Sequence, residues 1–168
     1  MRRLLFLFLL GISLTAGAQT ASEYDMKAAY IYNFARFTEW PASERANFNL
    51  CVLGDEELGQ ALRKYEERRI NDQRVVIARL HSMTPIRQCN LLFVGAAELP
   101  NLAKINAHLG DLPVLTVVDR PAAAPVGIVM ALESERLVFD LNLEHAQRSR
   151  LKHHPSVLRL ARYVRKAP

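Results

Sequence analysis

The side chains able to do chemistry are few in this sequence and stand far apart. Cys51 and Cys89 are its two cysteines. Their spacing is nothing like C-x-x-C, so thioredoxin-type redox chemistry has no basis. In an oxidising compartment an even count favours one disulfide, the other reading being two separate buried thiols. Loop-closure entropy makes such a bridge worth about 4 kcal/mol. Of the five histidines (His81, His108, His145, His153, His154) only the last two are adjacent. Neighbouring positions point apart, so no metal site is expected. "LCVLGDEELGQAL" lacks the Lys-Ser/Thr of a P-loop, and G-x-G-x-x-G is missing too. Asp55, Glu56 and Glu57 would repel phosphate; acids at a helix start are favoured by its dipole. No G-x-S-x-G or H-E-x-x-H occurs, and the acids are scattered. No catalytic residue and no cofactor are assigned.

What is concentrated is positive charge. Arg148, Arg150, Lys152, Arg159, Arg162, Arg165 and Lys166 crowd the C-terminal region, with His153 and His154 among them. One reading is the solvated face of an amphipathic helix with core residues Val157, Leu158, Leu160 and Ala161. The other is a platform for an anionic ligand or acidic partner, built from Arg148, Lys152, His153, Arg159 and Arg162. The basic run Arg63, Lys64, Arg68, Arg69, interleaved with Glu66 and Glu67, reads as a solvated helix face. A formal net charge of +5 over 168 residues is mildly basic, short of a nucleic-acid-binding surface.

The elements that must position these residues begin after a leader. Arg2 and Arg3, the apolar run Leu4 to Leu10 and the A-x-A site at Ala16-Gly17-Ala18 read as a signal peptide over residues 1–18. The run is too short to span a membrane stably. The remainder, residues 19–168, suits one domain with one core. "SEYD" (22–25) partly matches a capping box, predicting a helix from there to about Thr38. Its 100° wheel puts Met26, Ala29, Tyr30, Phe34 and Phe37 on one core face, with Asn33 among them. Ile31 and Tyr32 fall outside that stripe, beside Ala28 and Ala35. Strands follow at "FNLCVLG", "RVVIARL", "NLLFVG" and "PVLTVV", with helical patterns through Leu58 to Tyr65 and Leu99 to Leu109. "GIVMALE" and "RLVFDLN", split by Ser134 and Glu135, make a hairpin, and helices over 143–148 and 155–165 close the chain. Alternating strands and helices predict an α/β fold: a single domain, its largely parallel sheet flanked by helices, with a late β-hairpin.

Several stretches, in order, resemble the YfiR family of small periplasmic proteins, which includes HmsC-like members. They are "KAAYIYNFARFTEWP", "LCVLGDEELGQAL", "CNLLFVG", "VLTVVD", "GIVMALESERLVFDLNLEHAQRSRLK" and "VLRLARYV". The most specific are the aromatic helix ending in Trp40-Pro41 and the run Phe139, Asn142, Leu143. The resemblance implies a periplasmic, non-enzymatic repressor that dimerises and holds the periplasmic domain of an inner-membrane diguanylate cyclase, lowering cyclic di-GMP and biofilm formation. It also implies an OmpA-like outer-membrane lipoprotein as the partner that relieves repression. Cys51 and Cys89 each match a family cysteine position, and a disulfide state tied to folding and activity is implied. The chain departs from the family in having Cys89-Asn90 where a Cys-His pair is common, and in lacking a second cysteine pair near the hairpin. Ile31 and Tyr32, apolar and off the core stripe, are the expected partner or dimer contact. The alternative reading is a periplasmic small-ligand sensor with its pocket at the strand C-termini or the basic C-terminal region.

Overall fold

A computed structural model describes residues 16–166. The expected leader therefore lies largely outside the described residues. Helix α1 (Ala16–Arg36) is continuous through Ser22, so the expected capping box is not used. The helix stops before Phe37 and the chain turns extended in β1 (Thr38–Glu39), since Pro41 disfavours helical backbone at the residue before it. Next come β2 (Asn47–Leu53), α2 (Glu56–Leu62), β3 (Arg69–Ile70), β4 (Gln73–Leu80), β5 (Leu91–Val94), α3 (Leu102–Leu109) and β6 (Leu115–Val118). The late hairpin is β7 (Ile128–Glu133) with β8 (Arg136–Asn142), followed by α4 (Leu143–Arg148), β9 (Lys152–His153), α5 (Pro155–Leu160) and β10 (Tyr163–Arg165).

The main sheet has the order β10-β8-β7-β6-β5-β2-β4-β3. Its middle is parallel, through β4-β2, β2-β5, β5-β6 and β6-β7, because crossovers long enough to span the sheet, through α2 and α3 but also through the irregular segment 119–127, return each strand in the same direction. Antiparallel pairs sit where the chain turns tightly, at β3-β4 and β7-β8. Both turns use two residues with positive φ, Asn71-Asp72 and Ser134-Glu135 at 47° and 63° in each case, as two-residue hairpins require. A separate ribbon joins β1 to β9. The α/β class with a largely parallel, helix-flanked sheet and a late hairpin is the architecture observed.

Two helical expectations are corrected. Residues 155–165 do not form one helix: α5 ends at Leu160, and Tyr163–Arg165 joins the sheet edge parallel to β8. The open edge of β8 offers unpaired backbone groups that this segment satisfies, beginning with the Arg162 N–H donated to the Phe139 carbonyl at 2.9 Å. Leu160, expected in the core, is 74% exposed. The basic run 63–69 is not one helix face either; a single 3₁₀ turn at Arg63–Tyr65 gives way to β3. Arg68 there stacks over the Tyr32 and Tyr65 rings at 5.7 and 5.3 Å.

Period-two alternation sends side chains to two apolar layers. Phe48, Leu50, Val52, Leu91, Phe93, Leu115 and Val117 meet α1 and α2 on one face. Cys51, Leu53, Leu92, Val94 and Val118 meet Ile86 and the α3 residues Leu102, Ile105 and Leu109 on the other. Cys51 and Cys89 are bonded within that second layer, with a Cα separation of 5.8 Å. Register sets Leu92, not Cys89, opposite Cys51; the 3₁₀ turn Thr84–Gln88 brings Cys89 over the sheet face instead.

The face that α1 buries is not the one the wheel selects. Ala28, Ile31, Tyr32, Phe34 and Ala35 are buried, while Asn33 is exposed. Ile31 (0% exposed) and Tyr32 (6%) are core residues, which corrects the expectation that they form an external contact. Alanine and isoleucine let the helix lie close on the sheet, whereas the bulkier Tyr30 and Met26 pack at the margin of the layer. Tyr32 also stacks on Tyr65, centroids 4.5 Å apart. Ile31→Ala is expected to lower unfolding free energy by about 2–5 kcal/mol and Phe37→Ala by about 1 kcal/mol or less, read by urea titration. Alkylation of the protein unfolded in urea without reductant should label neither cysteine, since both are buried in the folded chain; labelling of both would remove the bridge.

Candidate functional site

In parallel α/β sheets ligands ordinarily lie at the strand C-termini where the winding reverses, here between β2 and β5. The sequence brings Gly54 and Gly95 together at that point, and a Cβ on Gly95 would collide with the Gly54 carbonyl. Asp55 caps α2, accepting the Leu58 N–H at 2.9 Å. Burial pushes its carboxyl pKa up, the Leu58 bond pulls it down, and Asp119 raises it again. From α1, Lys27 reaches into this crevice, with Nζ 2.7 Å from Asp119 Oδ2 and 2.8 Å from Glu23 Oε1. Burial works to lower the Lys27 pKa, but the hydrogen bonds to Asp119 and Glu23 outweigh it and the net shift is upward. The Lys27–Asp119 ion pair thus stands near Asp55 at the strand C-termini. A more open cleft of about 400 Å³ beside it is lined by Asp55, Glu56 and Glu98 together with Arg79 and His81, Arg79 being paired with Glu56. Among the described residues no three His, Cys, Asp or Glu side chains gather as a metal site.

The residues expected as an anionic-ligand or partner patch do not form one site. Arg148 lines a cleft of about 350 Å³ with Asn106, Asp111 and Ser149. Lys152 and Arg159 are exposed on β9 and α5. Arg162 is engaged, forking onto Asp140 at 2.8 and 2.5 Å and also pairing with Glu133. His153 is buried. The Thr38 hydroxyl donates to the Phe34 carbonyl at 2.7 Å and so accepts from His153 Nδ1–H at 3.0 Å, leaving Nε2 buried without a partner among the described residues.

The same ribbon presents a surface that periodicity did not single out. Phe37, just past the end of α1, is 38% exposed, although the wheel assigned it to the core. Where the helix ends at Arg36 the wheel angle no longer describes the chain, and Phe37 turns outward. The Arg36 guanidinium lies 5.5 Å from its ring centroid and the His154 ring 6.0 Å away. With Glu39, Trp40 and Asn71 they line a cleft of about 370 Å³. Trp40 is fixed beneath, donating Nε1–H to the Ala35 carbonyl at 3.0 Å and standing edge-on to Phe48. The ribbon is rigid: Thr38 pairs with His153, and the His154 N–H donates to the Phe37 carbonyl at 2.8 Å. An exposed aromatic flanked by arginine on ordered backbone has the composition of a protein-binding hot spot. The signal available in sequence was Trp40-Pro41, which ends the helix too early for Phe37 to remain on its wheel.

Two buried histidines make this region acid-labile. Burial lowers the His153 pKa to about 4, reinforced by nearby His145. Burial also lowers His145 to about 4, opposed by its bond to the Val114 carbonyl and reinforced by Arg148. The unfolded chain takes up protons near pH 6.5 that the folded chain accepts only near pH 4. Stability is therefore complete above about pH 6.5 and falls as pH drops toward 4, by on the order of 3 kcal/mol for each histidine. Denaturation followed over that range should show the loss in the wild type and a shallower profile in His153→Gln.

Among the described residues no helix is long and apolar enough to cross a membrane. A family profile described as YfiR/HmsC-like matches residues 24–162. That span runs from within α1 to the residue before β10, and includes the bonded cysteines, the β1-β9 ribbon and the hairpin. The family is one of periplasmic regulators of diguanylate cyclase signalling, regulatory rather than catalytic. With its fold, its cysteine bridge and nearly all of its elements inside the matched span, this chain belongs to the YfiR/HmsC-like family.

Proposed function

We propose that this protein is exported, its leader removed near Ala18, and that it represses an inner-membrane diguanylate cyclase by binding the cyclase's periplasmic sensory domain. The observation that carries the contact is Phe37, an exposed aromatic between Arg36 and His154 on a hydrogen-bonded ribbon. Binding through it shifts the cyclase toward its inactive state to the extent that this state is bound more tightly. Arg148, Lys152 and Arg159 add a positive field that steers an acidic partner surface. A homodimer and relief by an OmpA-like outer-membrane lipoprotein are extensions of this reading that rest on the family alone.

Deleting the gene should raise intracellular cyclic di-GMP, and the exported wild-type protein should bring it back. No change on deletion would break the functional reading. Phe37→Ala, exported at normal level with an unchanged melting temperature, should lose about 30-fold or more in affinity for the sensory domain, the loss expected of a hot spot worth 2 kcal/mol. It should also fail to lower cyclic di-GMP. Full repression by this variant would place the contact elsewhere.

A further inference from the structure

The C-terminal edge of the sheet carries a second surface, made by a strand that lies beyond the residues the family profile matches. Strand β10 is last in the sheet order and, among the described residues, pairs only with β8. The Arg162 N–H points inward to the Phe139 carbonyl. Alternation along a strand then turns the backbone N–H and C=O of Tyr163 and Arg165 outward, unpaired by β8.

Natural sheets blunt such edges with short strands and charge, and β3 at the opposite edge does so with two residues. The β10 edge differs in what surrounds it. Tyr163 is 63% exposed and Leu160, just before it, is also exposed. Beside them is a cleft of about 270 Å³ lined by Pro125, Val129, Asn142, Tyr163 and Arg165, together with Asp140, whose charge is already met by Arg162. An added strand sends alternate side chains to one face, and this cleft takes one of them. The bidentate Arg162–Asp140 pair anchors the start of the strand, so little ordering cost falls on the edge itself.

Charge selects the occupant. Arg159, Arg165 and Lys166 are exposed, and none makes an ion pair among the described residues. A second copy brought edge to edge would set these cations against one another, whereas an acidic strand would neutralise them. We propose that β10 is a docking edge for an extended, acidic segment of a partner protein, which adds a strand to the sheet and places an apolar side chain in the cleft beside Tyr163. The mode is β-strand addition, with backbone bonds supplying affinity and the cleft and cations supplying specificity. It does not depend on the Phe37 surface.

The test uses the full chain purified after export and three labelled octapeptides. One alternates valine and glutamate, one alternates valine and lysine, and one is the glutamate peptide with alternate amides N-methylated. Fluorescence anisotropy should show the glutamate peptide bound at least tenfold tighter than the lysine peptide, with affinity falling as salt rises. N-methylation should abolish binding, and amide shifts in the NMR spectrum should centre on residues 160–166. The variant Arg165→Glu/Lys166→Glu, both sites being exposed, should melt as the wild type does and lose the glutamate peptide. Overturning results are no binding at millimolar peptide, equal affinity for both charges, binding that survives N-methylation, or shifts centred elsewhere. Concentration-dependent dimerisation abolished by Tyr163→Glu would identify a second copy as the occupant and would overturn the proposal as well.

Discussion

Every side chain of β5 (Leu91–Val94) and β6 (Leu115–Val118) is buried, so neither face of the sheet's centre can be left to solvent. Much of the architecture answers that demand. Helices α1 and α2 close one face and α3 closes the other, with the 3₁₀ turn at Thr84–Gln88 filling the gap where Ile86 and Cys89 pack. The disulfide belongs to the second layer. It ties the connection before β5 to the neighbouring strand β2 and restricts the unfolded chain more than it adds native contacts.

Covering the first face also positions the proposed contact. For α1 to lie close to the sheet it presents Ala28, Ile31 and Ala35 beside the buried rings of Tyr32 and Phe34, while Met26 and Tyr30 pack at the margin of the layer. Tyr30 and Phe34 meet Phe139 edge-on. The helix ends as it leaves the core, and Phe37 passes into a ribbon held by His153 and His154. The same rotation carries Lys27 toward the strand C-termini, where it pairs with Asp119. One packing choice thus links an ion pair near the strand C-termini to an exposed aromatic.

The expected strands at residues 48–54, 74–80, 90–95 and 113–118, which fall on β2, β4, β5 and β6, and the hairpin at Ser134-Glu135 were legible because period-two patterns and φ-positive turns are local properties. The bridge between Cys51 and Cys89 was legible from cysteine count and compartment, though its route through the 3₁₀ turn was not. The face of α1 was misread because the stripe through Met26, Ala29, Tyr30 and Phe37 and the stripe through Ala28, Ile31, Tyr32 and Ala35 are both apolar, and only helix–sheet packing, which rewards close approach, chooses between them. The segment over 155–165 was misread because its amphipathic pattern is compatible with a helix, whereas β8 offers a hydrogen-bonding edge that only the folded sheet creates.

What the sequence by itself determined was the class of the protein: strands alternating with helices, one core, one pair of cysteines, no constellation of catalytic groups, and a family likeness spread along the chain. Tertiary structure alone decided which side chains remain at the surface. It buried Ile31, Tyr32 and His153, engaged Arg162, and exposed Phe37 and Tyr163. Periodicity reports how apolar residues are spaced along one element. Exposure depends on which neighbours that element meets, and those neighbours are set by strand order and helix approach across the whole chain.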